Sequence, residues 1–276
     1  MRMSEFCTYS EPTSDIVDGW GSLPAESLDA PLGRRIFETA RAHFLLFQRG
    51  MDPAEAAGAA TLGWHVSLPG LDILAPDLRS ERRPDRILGP EGWRHLRRGL
   101  HDTTGERILL MSSVPALGPR LSLIEALMGV IPGLQEYEDD LRDQWQSREH
   151  RAEWQALLSA MAARHGRNGA EVTVLSGEIH LATRAKMAHE AGPIHQLVAS
   201  GVAHRAPPRL YARALGALAK LGEAPLPAHP IRLHPLPGRS PIYTDERNVL
   251  ILERMSDRWS ARWNLEHSGV TPALEI

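Results

Sequence analysis

The chain of 276 residues is long enough to bury a sizeable core in one large domain. Its 42% hydrophobic and 24% charged content is typical of a soluble globular protein, and its net charge of −3 gives no electrostatic surface for nucleic acid. Cys7 is the single cysteine, which excludes an intrachain disulfide. The amino terminus lacks the apolar core of a signal peptide, and no stretch reaches the roughly twenty apolar residues of a membrane span. We therefore expect a cytoplasmic protein without a membrane partner.

The first part of the chain predicts helices with one weak strand after them. Residues 1–14 are polar and are predicted to be disordered. An amphipathic helix is predicted from Pro31 to Gly50. Its apolar stripe consists of Ile36, Phe37, Ala40, Phe44 and Phe47. A short alanine-rich helix restarts after Asp52, and the range from Asp72 to Leu78 is a weak strand candidate because Pro76 interrupts it.

The middle of the chain alternates between helices and strands. Pro90 opens a helix that buries an apolar face of Trp93, Leu96 and Leu100. A strand is predicted from Ile108 to Met111, a long helix from Asp143 to Arg164, and a second strand from Val172 to Leu175. The long helix has the stripe Trp154, Leu157, Leu158 and Met161 and is stopped by Gly166. The alternation indicates a layered α/β fold.

The segment after Ala206 is rich in proline. Its first part is interrupted by Pro207, Pro208, Pro225, Pro227, Pro230, Pro235, Pro237 and Pro241. Short β-type runs lie between and after them, at Ile231 to Leu233 and at Asn248 to Glu253. We predict that residues 207–276 form the antiparallel end of a second sheet in the same domain.

The most informative stretch is EVTVLSGEIHLA, from Glu171 to Ala182. Glu178 and His180 follow the apolar strand, and side chains at i and i+2 of an extended chain point to the same side. A carboxylate beside an imidazole at a strand end is a possible metal-ligand pair. A solvated glutamate and a hydrogen-bonded histidine at a polar strand exit would give the same pattern.

Five ordered segments between Asp15 and about Trp263 resemble one enzyme family. SGEIHLA resembles the SGDVHLA motif of the PhoD-like (alkaline phosphatase D) metallophosphatases, and YEDDLRDQW, from Tyr137 to Trp145, resembles the segment that precedes it. The stretch DLRSER, from Asp77 to Arg82, resembles an Asp-x-Arg-Ser-x-Arg stretch of that family. The stretch DIVDGWGS, from Asp15 to Ser22, resembles the tail of its DDHDIxDGWGS motif. The stretch QLVASG, from Gln196 to Gly201, is similar to its Gln-Leu-x-Ser-Ser stretch.

The resemblance implies a fold and a chemistry. The fold is a metallophosphoesterase sandwich of two sheets flanked by helices. The function is hydrolysis of phosphoric esters through a two-metal centre of iron, calcium, manganese or zinc type. Glu178 and His180 match the last two metal ligands, and Arg79 is a candidate for contact with the substrate phosphate.

The chain also departs from the family pattern. Residues 1–14 carry neither of the two upstream metal motifs, and the positions of an expected metal ligand and the catalytic histidine are occupied by Thr13 and Ser14. Asp15 is then a remnant with no histidine to orient, and Glu178 replaces the usual aspartate. We read residues 15–276 as a partial PhoD-like domain that lacks its amino-terminal strands. Its open sheet edge predicts self-association.

The remaining candidate residues have ordinary structural interpretations. Asp139, Asp140 and Asp143 suit a helix start better than a metal cluster. Trp145 and Trp154 suit a core position, Asp77 and Arg79 suit pairing with each other or with neighbours, and His195 and His204 suit hydrogen-bonded surface positions that flank a strand.

Two hypotheses of different class remain open. In the first, the chain is part of an enzyme whose missing motifs lie in a fused or neighbouring segment and whose partner is a phosphate-ester substrate. In the second, the chain is a degenerate, non-catalytic member that acts as a binding or structural protein, or the product of a disrupted gene. Thr13 and Ser14 disfavour a late start alone, because a late start would keep the family residues beside Asp15.

Overall fold

The structure is a computed structural model that describes residues 20–119, 144–178, 180–202, 207–256 and 258–276. The predicted leader, Asp15, the segment from Tyr137 to Asp143 and His204 lie outside these residues. Among the described residues, no helix is long and apolar enough to cross a membrane.

A seven-stranded mixed sheet forms the centre of the fold. Its strands are β1 (Trp64–Leu68), β2 (Leu71–Ala75), β3 (Arg107–Ser112), β4 (Glu171–Glu178), β5 (Thr183–Met187), β6 (Ile194–Ser200) and β7 (Ile231–His234). Their spatial order is β1-β2-β3-β4-β6-β5-β7. Strands β2, β3, β4 and β6 are parallel to one another, whereas β1, β5 and β7 pair antiparallel with their neighbours. The predicted strand from Val172 to Leu175 therefore lies at the middle of the sheet.

A second, smaller sheet is antiparallel throughout. It consists of β8 (Asn248–Met255), β9 (Arg258–Leu265), β10 (Gly269–Val270) and β11 (Leu274–Glu275), and β9 pairs with the other three strands. The predicted antiparallel end is thus present, although β7 of the same segment joins the large sheet.

The two sheets pack face to face because the strands alternate strictly. Leu109, Met111, Leu175 and Leu197 point from the large sheet into a core shared with the small sheet. From the small sheet, Trp263 is fully buried in this core, and its Nε1 donates to the Val198 carbonyl at 3.0 Å. The expected sandwich is therefore confirmed as a large mixed sheet packed on a small one.

The described helices are α1 (Ala25–Leu28), α2 (Pro31–His43), α3 (Pro53–Gly58), α4 (Pro90–Asp102), α5 (Arg151–Arg164) and α6 (Arg209–Ala219). The last three, α4, α5 and α6, cover the other face of the large sheet. Strand residues such as Ile108 and Val174 share one core with Leu96 of α4, Trp154 of α5 and Leu215 of α6. The predicted α5 stripe is buried, and Gly166 ends the helix in the left-handed region at φ 79.

Three helix predictions need correction. The predicted helix from Pro31 to Gly50 changes to a wider π-type turn at Phe44–Gln48, which rotates Phe47 out to 78% exposure while Phe44 stays buried. Helix α5 begins at Arg151 and not at Asp143, because residues 144–150 form turns that cover a neighbouring loop. Helix α6 lies in the segment that was predicted to be only antiparallel strands.

Two carboxylates, the half-buried Glu153 and the buried Asp72, hold loops around the sheet. Glu153 of α5 accepts hydrogen bonds from the Ile87 and Leu88 amides and from the Trp93 indole, at 2.7 to 2.9 Å. Asp72 of β2 accepts from Gly105 at 2.7 Å and contacts His65 at 2.8 Å. These bonds fix two loops at positions where unpaired backbone groups would be costly.

One edge of the large sheet is open within the described part of the chain. β1 pairs only with β2 there, and its Val66 and Leu68 are 43% and 49% exposed. The opposite edge strand, β7, is bridged at Ile231 by backbone hydrogen bonds to Glu223. An exposed strand with apolar side chains is a template for pairing with another chain.

We predict that the purified chain self-associates through β1. Val66→Lys is expected to shift it towards the monomer in sedimentation velocity, because a lysine on an edge strand opposes strand pairing. The control is Leu221→Lys, since Leu221 is 68% exposed and lies outside every strand. A wild-type chain that sediments as one monomeric species and melts cooperatively would contradict the prediction.

Candidate functional site

The carboxyl ends of β2, β3, β4 and β6 meet at one edge of the large sheet. Their parallel registers align Ser112 of β3 with Ser176 of β4, and Glu178 of β4 with Ser200 of β6. In open α/β sheets, ligands bind outside the carboxyl ends of the strands. This edge is the candidate site, and we call it the carboxyl edge.

Strand β4 changes from apolar to polar as it reaches the carboxyl edge. Val172 and Val174 are buried against the helices, and Ser176 continues the same side of the strand. Ser176 and Thr183 of β5 both lie beside Val198 of β6, so their hydroxyls share one cross-strand row. Both hydroxyls are buried without a hydrogen-bond partner among the described residues. The carboxyl edge of the sheet therefore carries two buried hydroxyl groups that form no hydrogen bond with the described strands.

The Glu178–His180 metal pair remains a prediction. Glu178 is the last residue of β4, but the structure does not describe its side chain or Ile179. His180 is half-buried and has φ 60, in the left-handed region. The extended geometry on which the i, i+2 argument rests therefore does not continue through His180. The chain is fixed again at Ala182, which exchanges backbone hydrogen bonds of 3.0 and 2.8 Å with Thr244.

A buried polar group supports the end of β6 at the same edge. The Ser200 hydroxyl donates to the Glu246 carbonyl at 2.9 Å and accepts from Asn248 Nδ2 at 2.7 Å. Asn248 Nδ2 also donates to the Glu246 carbonyl. The Gln-Leu-x-Ser-Ser likeness includes Ser200, whereas no sequence pattern singled out Asn248, which reaches the edge from the small sheet.

The loop after β2 brings two of the sequence motifs together. The Asp77 carboxylate accepts from the backbone amides of Arg79 and Ser80 at 3.1 and 2.9 Å, which confirms the expected pairing with neighbours. Trp20 is buried, and a Cβ on Gly21 would lie 2.8 Å from Cβ of Arg82. The DGWGS and DLRSER segments are therefore in contact, which only a residue without a side chain at position 21 permits.

The loop after β3 is held by side chains from three directions. Gln196 of β6 donates to and accepts from the Leu117 backbone at 2.6 and 2.7 Å. Gln146 donates to the Pro115 carbonyl at 2.8 Å, and the Trp154 indole donates to the Ala116 carbonyl at 2.6 Å. The bonds of Gln146 explain why residues 144–150 form turns instead of the first turns of α5. Trp145 and Trp154 are both buried, as predicted for core residues.

The donor set for a metal centre is not complete in the described structure. Among the side chains that the structure describes, no three His, Cys, Asp or Glu residues lie together as metal ligands. A two-metal centre needs more ligands than a glutamate and a histidine, because each ligand adds charge and fixes geometry. The described residues therefore do not fit such a centre without further ligands.

Comparisons with known proteins give distant matches. No protein-family model matches the chain. An uncharacterized protein of Saccharomyces cerevisiae, YGR266W, is 24% identical over 219 aligned residues, which cover 61% of this chain and 31% of the yeast protein. A solved structure of PhoD aligns with 78% of this chain and 41% of its own, at 14% identity and a TM-score of 0.48. The chain thus spans less than half the length of either protein.

His195 differs from its predicted surface position. It lies on β6 with 9% of its surface exposed, on the face that points towards the small sheet. Burial, reinforced by the positive charges of Lys186 and Arg184, lowers the pKa of His195 from 6.5 to about 4. His195 is therefore neutral in the folded protein at pH 7, about 17 Å along the strand from the carboxyl edge.

We predict an acid-sensitive contribution of His195 to stability. The unfolded chain takes up the proton near pH 6.5, whereas the folded chain resists it down to about pH 4. The contribution is therefore complete above pH 6.5 and falls by about 1.4 kcal/mol per pH unit as the pH drops from 6.5 towards 4. The free energy of unfolding of His195→Gln, measured by urea titration, is expected to fall about 2 kcal/mol less than that of wild type between pH 7 and pH 4.5.

The matched control for this titration is His101→Gln, because the His101 side chain is 74% exposed. It is expected to keep the wild-type pH dependence. Parallel curves for wild type and His195→Gln would contradict the shifted pKa.

Proposed function

We propose that the carboxyl edge is part of a phosphoric-ester hydrolase site of the PhoD-like type, and that this chain alone does not complete it. In this proposal, Glu178 and His180 are two metal ligands and Arg79 contacts the substrate phosphate. The metal, of manganese, iron, calcium or zinc type, would stabilise charge on the phosphoryl group and activate water when bound.

The observation that carries the proposal is the position of the SGEIHLA motif. Glu178 ends the central strand of a mixed sheet, at the edge where four parallel strands finish. The backbone of Glu178 is therefore held by a strand that is buried on both faces, and His180 follows two residues after that strand ends. The contact of Gly21 with Arg82 further supports the proposal, because it joins two distant motif segments, one of which lies in the loop that follows β2.

Arg79 lies in the loop that follows β2. Its backbone amide is tied to Asp77, and Glu81 of the same loop accepts from Gly92 at 2.6 Å at the start of α4. The loop is thus anchored on both sides of Arg79. A guanidinium on a fixed loop suits two-point recognition of a phosphate.

A second candidate function is a non-catalytic binding protein of the same fold. Thr13 and Ser14 favour it, since they stand where the resemblance places a metal ligand and the catalytic histidine. Both functions retain Glu178 and His180 at the carboxyl edge, so they differ in turnover and not in the location of the site.

The first test measures metal binding by the chain as it stands. Titration with Mn²⁺ by calorimetry is expected to give weak binding that His180→Ala or Glu178→Gln lowers by about tenfold, because a two-ligand site loses most of its affinity with either ligand. His101→Ala is the control, since His101 also lies beside a carboxylate, that of Asp102, but on the exposed surface. Equal Mn²⁺ binding by wild type and His180→Ala would refute the proposed metal pair.

The second test separates the two functions. With an aryl phosphomonoester and a diester and added Mn²⁺, the chain is expected to show no turnover, and Ser14→His alone is not expected to restore it. A fusion that supplies the upstream metal motifs together with Asp-Asp-His-Asp is expected to be active under the enzyme hypothesis and inactive under the binding hypothesis. Turnover of about 1–1000 per second by the unmodified chain, abolished by His180→Ala, would show that its site is already complete.

A further inference from the structure

Strands β5, β6 and β7 carry an unusual row of basic side chains. The antiparallel registers place Lys186 directly opposite His195 on one side and opposite Arg232 on the other. Two residues further along, Arg184 lies opposite His234. Directly opposed residues of an antiparallel pair point to the same face of the sheet. These five residues therefore form one patch, which we call the β5–β7 basic patch.

The two faces of strands β5 and β7 differ in polarity, and the basic patch lies on the face that points away from the helices. Ala185 and Met187 of β5, with Ile231 and Leu233 of β7, are buried in the core beneath α6. Strict alternation then turns Lys186 and Arg232 away from the helices. Arg232 is exposed, Lys186, Arg184 and His234 are half-buried, and His195 is buried.

Within the described part of the chain, the three cations of the patch, Lys186, Arg184 and Arg232, form no ion pair with an acid. Glu171 of the neighbouring β4 is occupied by an ion pair with Arg107. Arg184 donates a hydrogen bond to the Pro235 carbonyl, at 2.7 Å. Like charges directly opposite each other on a sheet are destabilising, so the fold bears a cost that a bound anion would remove.

The dimensions of the patch limit the kind of anion. Neighbouring strands are about 4.8 Å apart and alternate residues on a strand about 6.8 Å apart, so the three charged groups on β5 and β7 span roughly 5 Å by 7 Å, and His195 lies one strand further. That area suits two linked phosphate groups. A nucleic-acid strand needs a longer basic track, and the chain as a whole carries a net charge of −3.

We propose that the β5–β7 basic patch binds a compact, multiply charged oxyanion of the pyrophosphate class. Lys186 lies at the centre of the site, Arg232 supplies a forked donor at its exposed side, and His195 and His234 supply ring nitrogens. His195 lies five residues before Ser200 on β6, roughly 17 Å from the carboxyl edge. The patch is therefore a second site, whose existence does not depend on hydrolase activity at the first.

The test uses inorganic pyrophosphate as the probe, with the full chain in a buffer of low ionic strength. Calorimetry is expected to show binding by the wild type that Lys186→Gln/Arg232→Gln weakens by at least about tenfold. The matched control removes the same two charges elsewhere, with Arg98→Gln at an exposed position of α4 and Lys220→Gln at the exposed residue that follows α6, and is expected to bind as the wild type does. Pyrophosphate is also expected to raise the Tm of the wild type and of this control, but not of the patch variant.

Several outcomes would overturn the proposal. They are absence of pyrophosphate binding by the wild type at millimolar concentration, equal weakening by the control pair, and tighter patch-dependent binding of a single-stranded RNA or an acidic peptide than of pyrophosphate. If the double variant does not fold, Arg232→Gln alone decides the matter, because Arg232 is exposed and its replacement leaves the core intact. Unchanged pyrophosphate affinity in that single variant would also count against the site.

Discussion

The parallel pairing of β3, β4 and β6 is the constraint on which the rest of this structure depends. Ile108, Val174 and Leu197 are fully buried, and alternate residues of the three strands face the helices and the small sheet. A strand buried on both faces has no room for unpaired polar groups until it ends. Polar side chains without partners therefore lie at the strand ends. Because the three strands are parallel, their carboxyl ends lie together at one edge of the sheet.

The loops at that edge are held by a few polar side chains that bond to backbone. Glu153 binds the loop before α4, Gln196 binds the loop after β3, and Ser200 with Asn248 joins β6 to the small sheet. Each such bond replaces water on a backbone group that has left regular structure. The same polar side chains that complete the fold thus position the segments in which the candidate site lies.

Regular patterns made much of the fold predictable from the sequence. The buried α5 stripe of Trp154, Leu157, Leu158 and Met161 and the strand from Val172 to Leu175 were confirmed, because apolar periodicity reports burial directly. The start of α5 was not predictable, because Gln146 bonds to Pro115, a residue far away in the chain. Helix α6 was obscured by the prolines that precede it, and the exposure of Phe47 depends on a π-type turn that periodicity does not register.

The candidate site, like the fold, was predictable from the sequence only in part. The sequence located Glu178 and His180 at a strand exit, which the end of β4 at Glu178 supports. It did not reveal the left-handed φ of His180, the support from Asn248, or the basic patch, since each depends on which strands become neighbours. Pairing partners in a sheet are set by long-range packing, and a single sequence carries little direct record of them. The proposed loss of amino-terminal strands remains a prediction for the same reason.

The proposed binding of metal at the carboxyl edge, through Glu178 and His180, can be examined in a crystal structure of the purified chain grown with Mn²⁺. We expect anomalous scattering from Mn²⁺ at the end of β4, with the carboxylate of Glu178 and the imidazole of His180 at coordinating distances of about 2.0–2.3 Å. Side chains of Glu178 and His180 that point to opposite faces, or that lie more than about 8 Å apart, would contradict it, because ligands of metals roughly 3.5–4 Å apart cannot diverge that far.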